Sequence, residues 1–300
     1  LQFRSARQYV GERVTRLLLP LIIGVLLVIP PQVYIERISP WMRTRLSPIN
    51  FEGSFFNFYP HFFDCCYSDG NFTYHHLWFV AYLFLYSLFA LPIFRYLQTP
   101  AGQAWVSALA DRLGRGAAIF WFAVPIAIIE IMLRPHFPNW QDFIHDWANN
   151  AHYFTIFLIG YLLFADDCFQ QAIAHNKKWA LGLGVVATAG YFLIETEALR
   201  LALRAFSEWG WIIALLGYGR QWLNKPSPWL RYASEIAYPF YIFHQTVIVL
   251  IAYFVVQWSL GIAAKYVVIA GTSLLMTVLL CELIKLTNTT RLGFGLKWRE

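Results

Sequence analysis

Long apolar segments alternate with shorter polar connections along the whole chain. A helix that crosses the hydrocarbon core of a membrane needs about 20 mostly apolar residues, and these segments approach or reach that length. The pattern therefore predicts an all-α, polytopic membrane protein with about eight transmembrane helices. The predicted spans are Leu17–Ile35, Leu77–Tyr96, Ala117–Leu133, Trp147–Ala165, Trp179–Ile194, Ala205–Leu223, Ile236–Gln257 and Ile262–Ile284.

The composition supports lipid as the main solvent of the chain. Hydrophobic residues make up 58% of it and charged residues only 13%, whereas about 25% charged residues is typical of soluble domains. The net charge of +6 could suggest a nucleic-acid partner, but the basic residues fall between the apolar segments and form no single stripe. We therefore expect membrane lipid as a partner and no nucleic acid.

The placement of Lys and Arg also predicts an orientation. If the N-terminus is cytoplasmic, the inside connections carry 16 of the 23 Lys and Arg residues and the outside connections carry the other 7. An excess of positive charge marks cytoplasmic connections. The count predicts that both ends are cytoplasmic. We find no internal repeat or domain boundary and predict one membrane domain over residues 1–300.

A histidine within the seventh predicted span is the clearest candidate for chemistry. Polar side chains in a span usually face the bundle interior or a water-filled cavity. Helical spacing places Tyr238, Tyr241 and His244 along one face. The imidazole of His244 could exchange a proton or hydrogen-bond a substrate carbonyl. Alternatively, His244 only joins neighbouring helices, as polar residues in spans often do.

A second aromatic stretch begins the second predicted span. In HHLWFVAYLFLY, His75, Trp78, Tyr82 and Tyr86 recur at helical spacing on one face. They could line a polar and aromatic cleft of the kind that holds a sugar. An aromatic belt at the membrane surface with an interfacial histidine explains the same residues.

A pair of arginines precedes the first span. Arg13 and Arg16 lie one helical turn apart, where they could clamp the phosphates of a nucleotide-bearing donor. Alternatively, their positive charge only sets the orientation of the helix in the membrane.

Glu130 lies four residues before Arg134, which predicts an ion pair across one helical turn. The four cysteines show no zinc-site spacing, and we expect no metal.

Several stretches together resemble the acyltransferase-3 family of integral-membrane acyltransferases, especially the branch of glucan-biosynthesis protein C, which modifies periplasmic glucans. In chain order they are GERVTRLLLPLIIG, HHLWFVAYLFLYSL, GYLLFADDCFQQAIAHNKKW and SEIAYPFYIFHQTVIV. The resemblance implies transfer of an acyl group, such as acetyl or succinyl, from a cytoplasmic acyl-CoA type thioester to a hydroxyl of a glucan, a polysaccharide or another envelope acceptor. It implies a bacterial inner membrane and no tightly bound cofactor.

The resemblance also implies roles for residues. The family's first span carries an Arg followed about ten residues later by a His thought to be the base, and this chain has no counterpart of that span. Since Arg13-x-x-Arg16 matches the pair that leads into the family's third span, we expect the chain to be N-terminally incomplete. The catalytic base therefore stays unassigned. Arg13 and Arg16 become candidates for the donor phosphates, and Trp78, Tyr238 and His244 for the cavity wall or the acceptor site.

Two hypotheses from other classes remain open. The polar and aromatic faces could bind the solute of a membrane transporter, although the halves show no symmetry of broken spans. The chain could also be a truncated assembly subunit without catalysis. Transfer of a labelled acyl group would favour the acyltransferase, and flux of a solute would favour the transporter. Neither result would favour the assembly subunit.

Overall fold

The computed structural model describes residues 5–40, 50–67, 70–137 and 143–299. About 80% of the chain is helical, and the described residues include no strand. The predicted all-α fold is therefore confirmed. The helices are α1 (Ala6–Ile38), α2 (Phe55–His61), α3 (Trp78–Phe89), α4 (Leu91–Leu97), α5 (Pro100–Leu113), α6 (Ala123–Leu133), α7 (Trp147–Ala165), α8 (Asp167–Leu193), α9 (Glu197–Leu223), α10 (Pro228–Val255), α11 (Ile262–Ile284) and α12 (Asn288–Gly293).

In the described part of the chain, four helical segments are long and apolar enough to cross a membrane. They are α1, α6 with the 3₁₀ turn before it, α10 and α11, and the number rises to six if two bent pairs each form one span. The count of about eight is not confirmed. The fourth and fifth predicted spans fall in one bent pair, α7 and α8, and α9 is not among the candidates. The predicted cytoplasmic ends stay a prediction.

Prolines shape the long first helix. Ser5 caps α1 together with Gln8 in a reciprocal capping box. Pro20 and Pro30 each lack an N–H, and wide π-helical turns occupy Val14–Leu18 and Gly24–Val28. In hydrocarbon a carbonyl released in this way needs another donor. The hydroxyl of Tyr59 supplies one to the carbonyl of Leu26, at 3.1 Å, and so ties α2 to α1.

The two bends have local causes. α3 and α4 meet at 49°, where Pro92 stands in the first turn of α4 and cannot continue the hydrogen bonding of α3. α7 and α8 meet at 103°. There Asp166 is extended, and its side chain accepts a hydrogen bond from the backbone N–H of Cys168 at 2.8 Å. An N-cap of this kind starts a new helix in a new direction.

The chain packs as two compact units: a central unit, Tyr86–Ser227, and a terminal unit, Ser5–Leu85 with Pro228–Glu300. The prediction of one domain over residues 1–300 stays a prediction. In the central unit, α8 and α9 run antiparallel and approach closely at Gly184 and Gly210, where a Cβ on Gly210 would lie 2.7 Å from the Gly184 nitrogen. Small residues permit such close helix contacts in membranes.

The core of the terminal unit includes part of the aromatic stretch NFEGSFFNFYPHFF at residues 50–63. Phe58 of α2 and Phe62 just after it are fully buried with Leu77, Val33 and Ile242. Burying these two large rings stabilises the unit more than exposing them to water would.

Candidate functional site

The terminal unit brings together residues from the two aromatic stretches. We call His76, Tyr241 and His244 the histidine cluster. The ring of His76 lies 5.4 Å from the ring of His244 and 5.8 Å from that of Tyr241, and the Tyr241 hydroxyl donates to the carbonyl oxygen of His76. Two stretches separated by more than 150 residues in sequence therefore meet at one place.

The hydrogen bonds of the two histidines fix their tautomers when the rings are neutral. A backbone carbonyl only accepts, so the His244 nitrogen Nδ1, 2.7 Å from the Tyr241 oxygen, carries a proton. Its Nε2 then offers a lone pair. In His76 the roles are reversed, because Nε2 donates to the Ile242 carbonyl at 2.9 Å. The buried Nδ1 of His76 is an acceptor with no hydrogen-bond partner in the described part of the chain.

His76 was not among the predicted site residues, which placed His75 on one face with Trp78 and Tyr82. In the structure the ring of His75 lies 3.4 Å from the carboxylate of Glu36 and edge-on to Tyr67. His75 also has a positive φ of 39°, a conformation that L-residues adopt rarely and that turns adjacent side chains in different directions. The doubled histidine was the available signal, but helical spacing could not show which of the two turns inward.

Trp78 and Tyr82 lie next to the histidine cluster in sequence. Their rings meet edge to face with centroids 5.4 Å apart, and Tyr82 is buried while Trp78 is half-buried. The neighbour that reaches Tyr241 is Phe79, with ring centroids 6.3 Å apart. Trp78 and Tyr82 therefore pack against each other on α3, and Phe79 links α3 to α10.

The remaining predicted residues lie where α1 meets the C-terminal segment. Gly295, at a φ of +76°, packs between the ring of Tyr238 and the carbonyl of Arg16, so that any Cβ there would overlap the ring. The Tyr238 hydroxyl and the Nε of Arg13 are buried without a hydrogen-bond partner among the described residues. The guanidinium of Arg13 lies 4.6 Å from the centre of the Tyr9 ring, and Arg16 is exposed.

A second polar site occupies the central unit. The predicted pair of Glu130 and Arg134 forms through two hydrogen bonds of 2.8 and 3.1 Å. Glu130 is fully buried, and two further groups approach its carboxylate: the Nδ1 of His152 at 2.8 Å and the guanidinium of Arg204 at 3.4 Å. The Nε2 of His152 lies 2.9 Å from Glu208. We call Glu130, Arg134, His152, Arg204 and Glu208 the ion network.

The ion network is held in place by the start of α7. Arg134 also donates to Asn149 at 2.9 Å, and Asp146 caps α7 by accepting from the backbone of Asn149 at 2.9 Å. Burial disfavours the charge of Arg134, but its hydrogen bonds and attraction to Glu130 outweigh burial and raise the pKa of the guanidinium. The full network was missed because its members come from α6 with its C-cap, α7 and α9, three helices that meet only in the folded unit.

The ion network borders an open cleft of about 290 Å³. Side chains of α7, α8 and α9 line it, including Tyr153, Tyr191 and Ser207. Glu208 and Arg204 face it with side chains that are 30% and 33% exposed. Among the described residues, no group of three His, Cys, Asp or Glu side chains is arranged to hold a metal ion. The carboxylate, the guanidinium and the hydroxyls of the lining can form hydrogen bonds with a bound molecule.

The sequence of the chain matches one known protein family. The family model Acyl_transf_3, described as an acyltransferase domain, matches residues 1–285, which is nearly the whole chain. No curated protein and no solved structure gives a significant match to the chain. Together with the apolar helices, the match shows an integral membrane protein with acyltransferase activity toward groups other than aminoacyl groups. The chain belongs to the acyltransferase-3 family of membrane acyltransferases.

Proposed function

We propose that the protein is an O-acyltransferase of the bacterial inner membrane, with cytoplasmic ends, that modifies an envelope glycan of the glucan type. An acetyl or succinyl group would pass from a cytoplasmic acyl-CoA type thioester to a hydroxyl of the acceptor. The family match over residues 1–285 supports the acyl transfer. The donor, the acceptor and the membrane follow from the resemblance to the branch that modifies periplasmic glucans.

The chemistry of acyl transfer determines which groups the protein must supply. The acceptor oxygen forms a bond to the acyl carbon, the carbon–sulfur bond of the thioester breaks, and the hydroxyl proton passes through a general base to the departing thiolate. A base must lie within hydrogen-bond reach of the hydroxyl, and donors must stabilise the negative oxygen of the tetrahedral intermediate. We leave the base unassigned.

The observation that carries the proposal is the histidine cluster of the terminal unit. The lone pair on Nε2 of His244 can accept a hydrogen bond from a hydroxyl or an amide of a substrate, and the backbone contact of Nδ1 holds the ring in that tautomer. Trp78 and Tyr238 would form the cavity wall beside it. Arg13 and Arg16 would attract the donor phosphates, since guanidinium groups bind phosphate in a bidentate manner.

The test uses the protein reconstituted in proteoliposomes. Labelled acetyl-CoA or succinyl-CoA is supplied with a β-glucan acceptor, and base-labile label on the glucan is counted. We expect transfer by the parent protein and at least a tenfold loss in His244→Ala and Trp78→Ala, because each change removes a contact with substrate. His175→Ala, at an exposed histidine of α8, is the control and should retain full activity.

The other outcomes separate the competing hypotheses. Accumulation of a labelled glucan inside the vesicles without ester formation would favour a transporter. Neither transfer nor uptake would favour an assembly subunit. Transfer that is equally fast in His244→Ala and in the control would remove the histidine cluster from the mechanism while leaving the acyltransferase activity in place.

A further inference from the structure

The cleft of the central unit is a built site that acyl transfer at the histidine cluster does not use. Its volume of about 290 Å³ lies near the lower limit of pockets that hold small molecules, about 300 Å³. We propose that this cleft binds one sugar residue of a neutral glycan acceptor. The inference rests on the proposed function, because it takes the acceptor to be a glycan.

The ion network gives the cleft a rigid polar wall. His152 is almost fully buried, and its two nitrogens face two carboxylates, Glu130 at 2.8 Å and Glu208 at 2.9 Å. The Nε2 of His152 also makes a hydrogen bond to Glu208, at 3.2 Å. Glu208 is therefore held from its buried side, while its partly exposed side chain faces the cleft.

The positive charge of Arg204 lies close to the carboxylate of Glu208 on the same helix. Arg204 stands one turn before Glu208 on α9, and its guanidinium contacts Glu130 at 3.4 Å. Its side chain is one-third exposed and borders the cleft. The cleft thus presents an acceptor and a donor side by side. A free anion would meet Glu208 and a free cation would meet Arg204, whereas a sugar carries hydroxyls that can donate to the first and accept from the second.

The rest of the lining suits the apolar face of a sugar ring. Tyr153 and Tyr191 present aromatic surfaces to the cleft, and a tyrosine offers a large apolar ring with a polar tip. The hydroxyls of Thr188 and Ser207 lie 2.6 Å apart and bond to each other across α8 and α9. This contact fixes the distance between the two helices that form the floor.

The position along the helices fits an acceptor that arrives from outside the cell. The cleft lies at the end of the central unit that carries Arg134, Arg200 and Arg204, which the count of positive charges assigns to the outer side.

The experiment measures binding of a fluorescent β-glucan oligosaccharide to the full-length protein in nanodiscs of zwitterionic lipid. We expect saturable binding that weakens at least tenfold in Glu208→Gln and in Arg204→Met, since a hydrogen bond to a charged group contributes about that factor. Arg220→Met is the matched control. Arg220 borders a different cleft of the same unit, of about 390 Å³, and its loss should leave binding unchanged.

A second measurement avoids variants that fail to fold. A photoreactive derivative of the oligosaccharide is cross-linked to the parent protein, and the labelled peptides are identified by mass spectrometry. Label on peptides that contain Tyr191 or Glu208 supports the proposal. Label confined to other peptides, or binding that all three variants retain, overturns it.

Binding of a lipid and the acyl-transfer assay give the remaining outcomes of the experiment. If an anionic phospholipid binds in an Arg204-dependent manner and the glucan does not bind, the cleft is a lipid site and the proposal fails. Acyl transfer is assayed on the same preparations. Transfer without glucan binding in the cleft overturns this inference alone, whereas glucan binding in the cleft without any transfer overturns the proposed function alone.

Discussion

Replacing the buried carboxylate at the centre of the ion network should destabilise the central unit strongly. Glu130→Gln keeps the shape of the side chain but removes the negative charge that faces Arg134, His152 and Arg204 at 2.8 to 3.4 Å. Removing one partner of a buried ion pair costs about 3–5 kcal/mol, because the other charge stays buried without compensation. We take about 3 kcal/mol, the low end, since Arg204 keeps contact with water.

The assay is thermal unfolding of the detergent-solubilised protein at a fixed scan rate, followed by tryptophan fluorescence. Trp209, one of the 13 tryptophans of the chain, is buried in the same unit and donates to the carbonyl of Ile119 at 3.0 Å, so its emission contributes to the signal. About 2–4 °C is lost per kcal/mol in proteins of this size. Glu130→Gln should therefore lower the unfolding temperature by about 6–12 °C.

Asp111→Asn is the matched control. Asp111 and Arg115 form the same kind of pair, one turn apart, at a shorter distance of 2.6 Å, but both side chains are more than half exposed. Exposed pairs of this type contribute about 0.3–0.5 kcal/mol, which corresponds to a shift below about 2 °C. Equal shifts in the two variants would refute the reasoning that burial, and not distance, sets the strength of the network.

Three further changes test the packing by the same assay. Gly210→Ala should lower the unfolding temperature by several degrees, because its Cβ would press on the backbone of α8 and overpacking costs about 1–3 kcal/mol. Gly219→Ala is its control. The added Cβ at Gly219 meets open space on the same helix, so this variant should be neutral or stabilising. Gly295→Ala should destabilise because of its positive φ and the facing tyrosine ring; unchanged unfolding would contradict that packing. Arg37→Lys should cost about 1.5–3 kcal/mol, since the buried guanidinium donates to Asn71 at 2.7 Å, and a loss below 0.5 kcal/mol would count against the contact.

Much of the fold could be predicted from the sequence, because each apolar segment must form a helix to satisfy its own backbone in lipid. Four predicted spans coincide with the four single-helix candidates, although the span predicted to end at Gln257 runs two residues past the end of α10 at Val255. The number of crossings could not be predicted, since hydropathy gives the length of an apolar segment and not its direction. The 103° bend at Asp166 depends on a cap and on packing around it.

For the candidate sites, too, contacts along one helix could be predicted and contacts between distant stretches could not. Tyr241 and His244 share a helical face, and the spacing along α10 already implied this. Their meeting with His76 of a distant stretch could not be read from spacing. His75, the histidine that the spacing placed with Trp78 and Tyr82, lies beside Glu36, and the backbone turns at this residue.

The sequence by itself determined that the chain is a helical membrane protein, that it resembles acyltransferases, and that Glu130 pairs with Arg134 across one turn. Each of these follows from residues that are near neighbours or from the average character of a segment. Only the tertiary structure decided that Glu130 also faces His152 and Arg204 and that Glu208 completes the network beside a cleft. The physical reason is that buried charges need partners from every direction, and most of those directions lead to other helices.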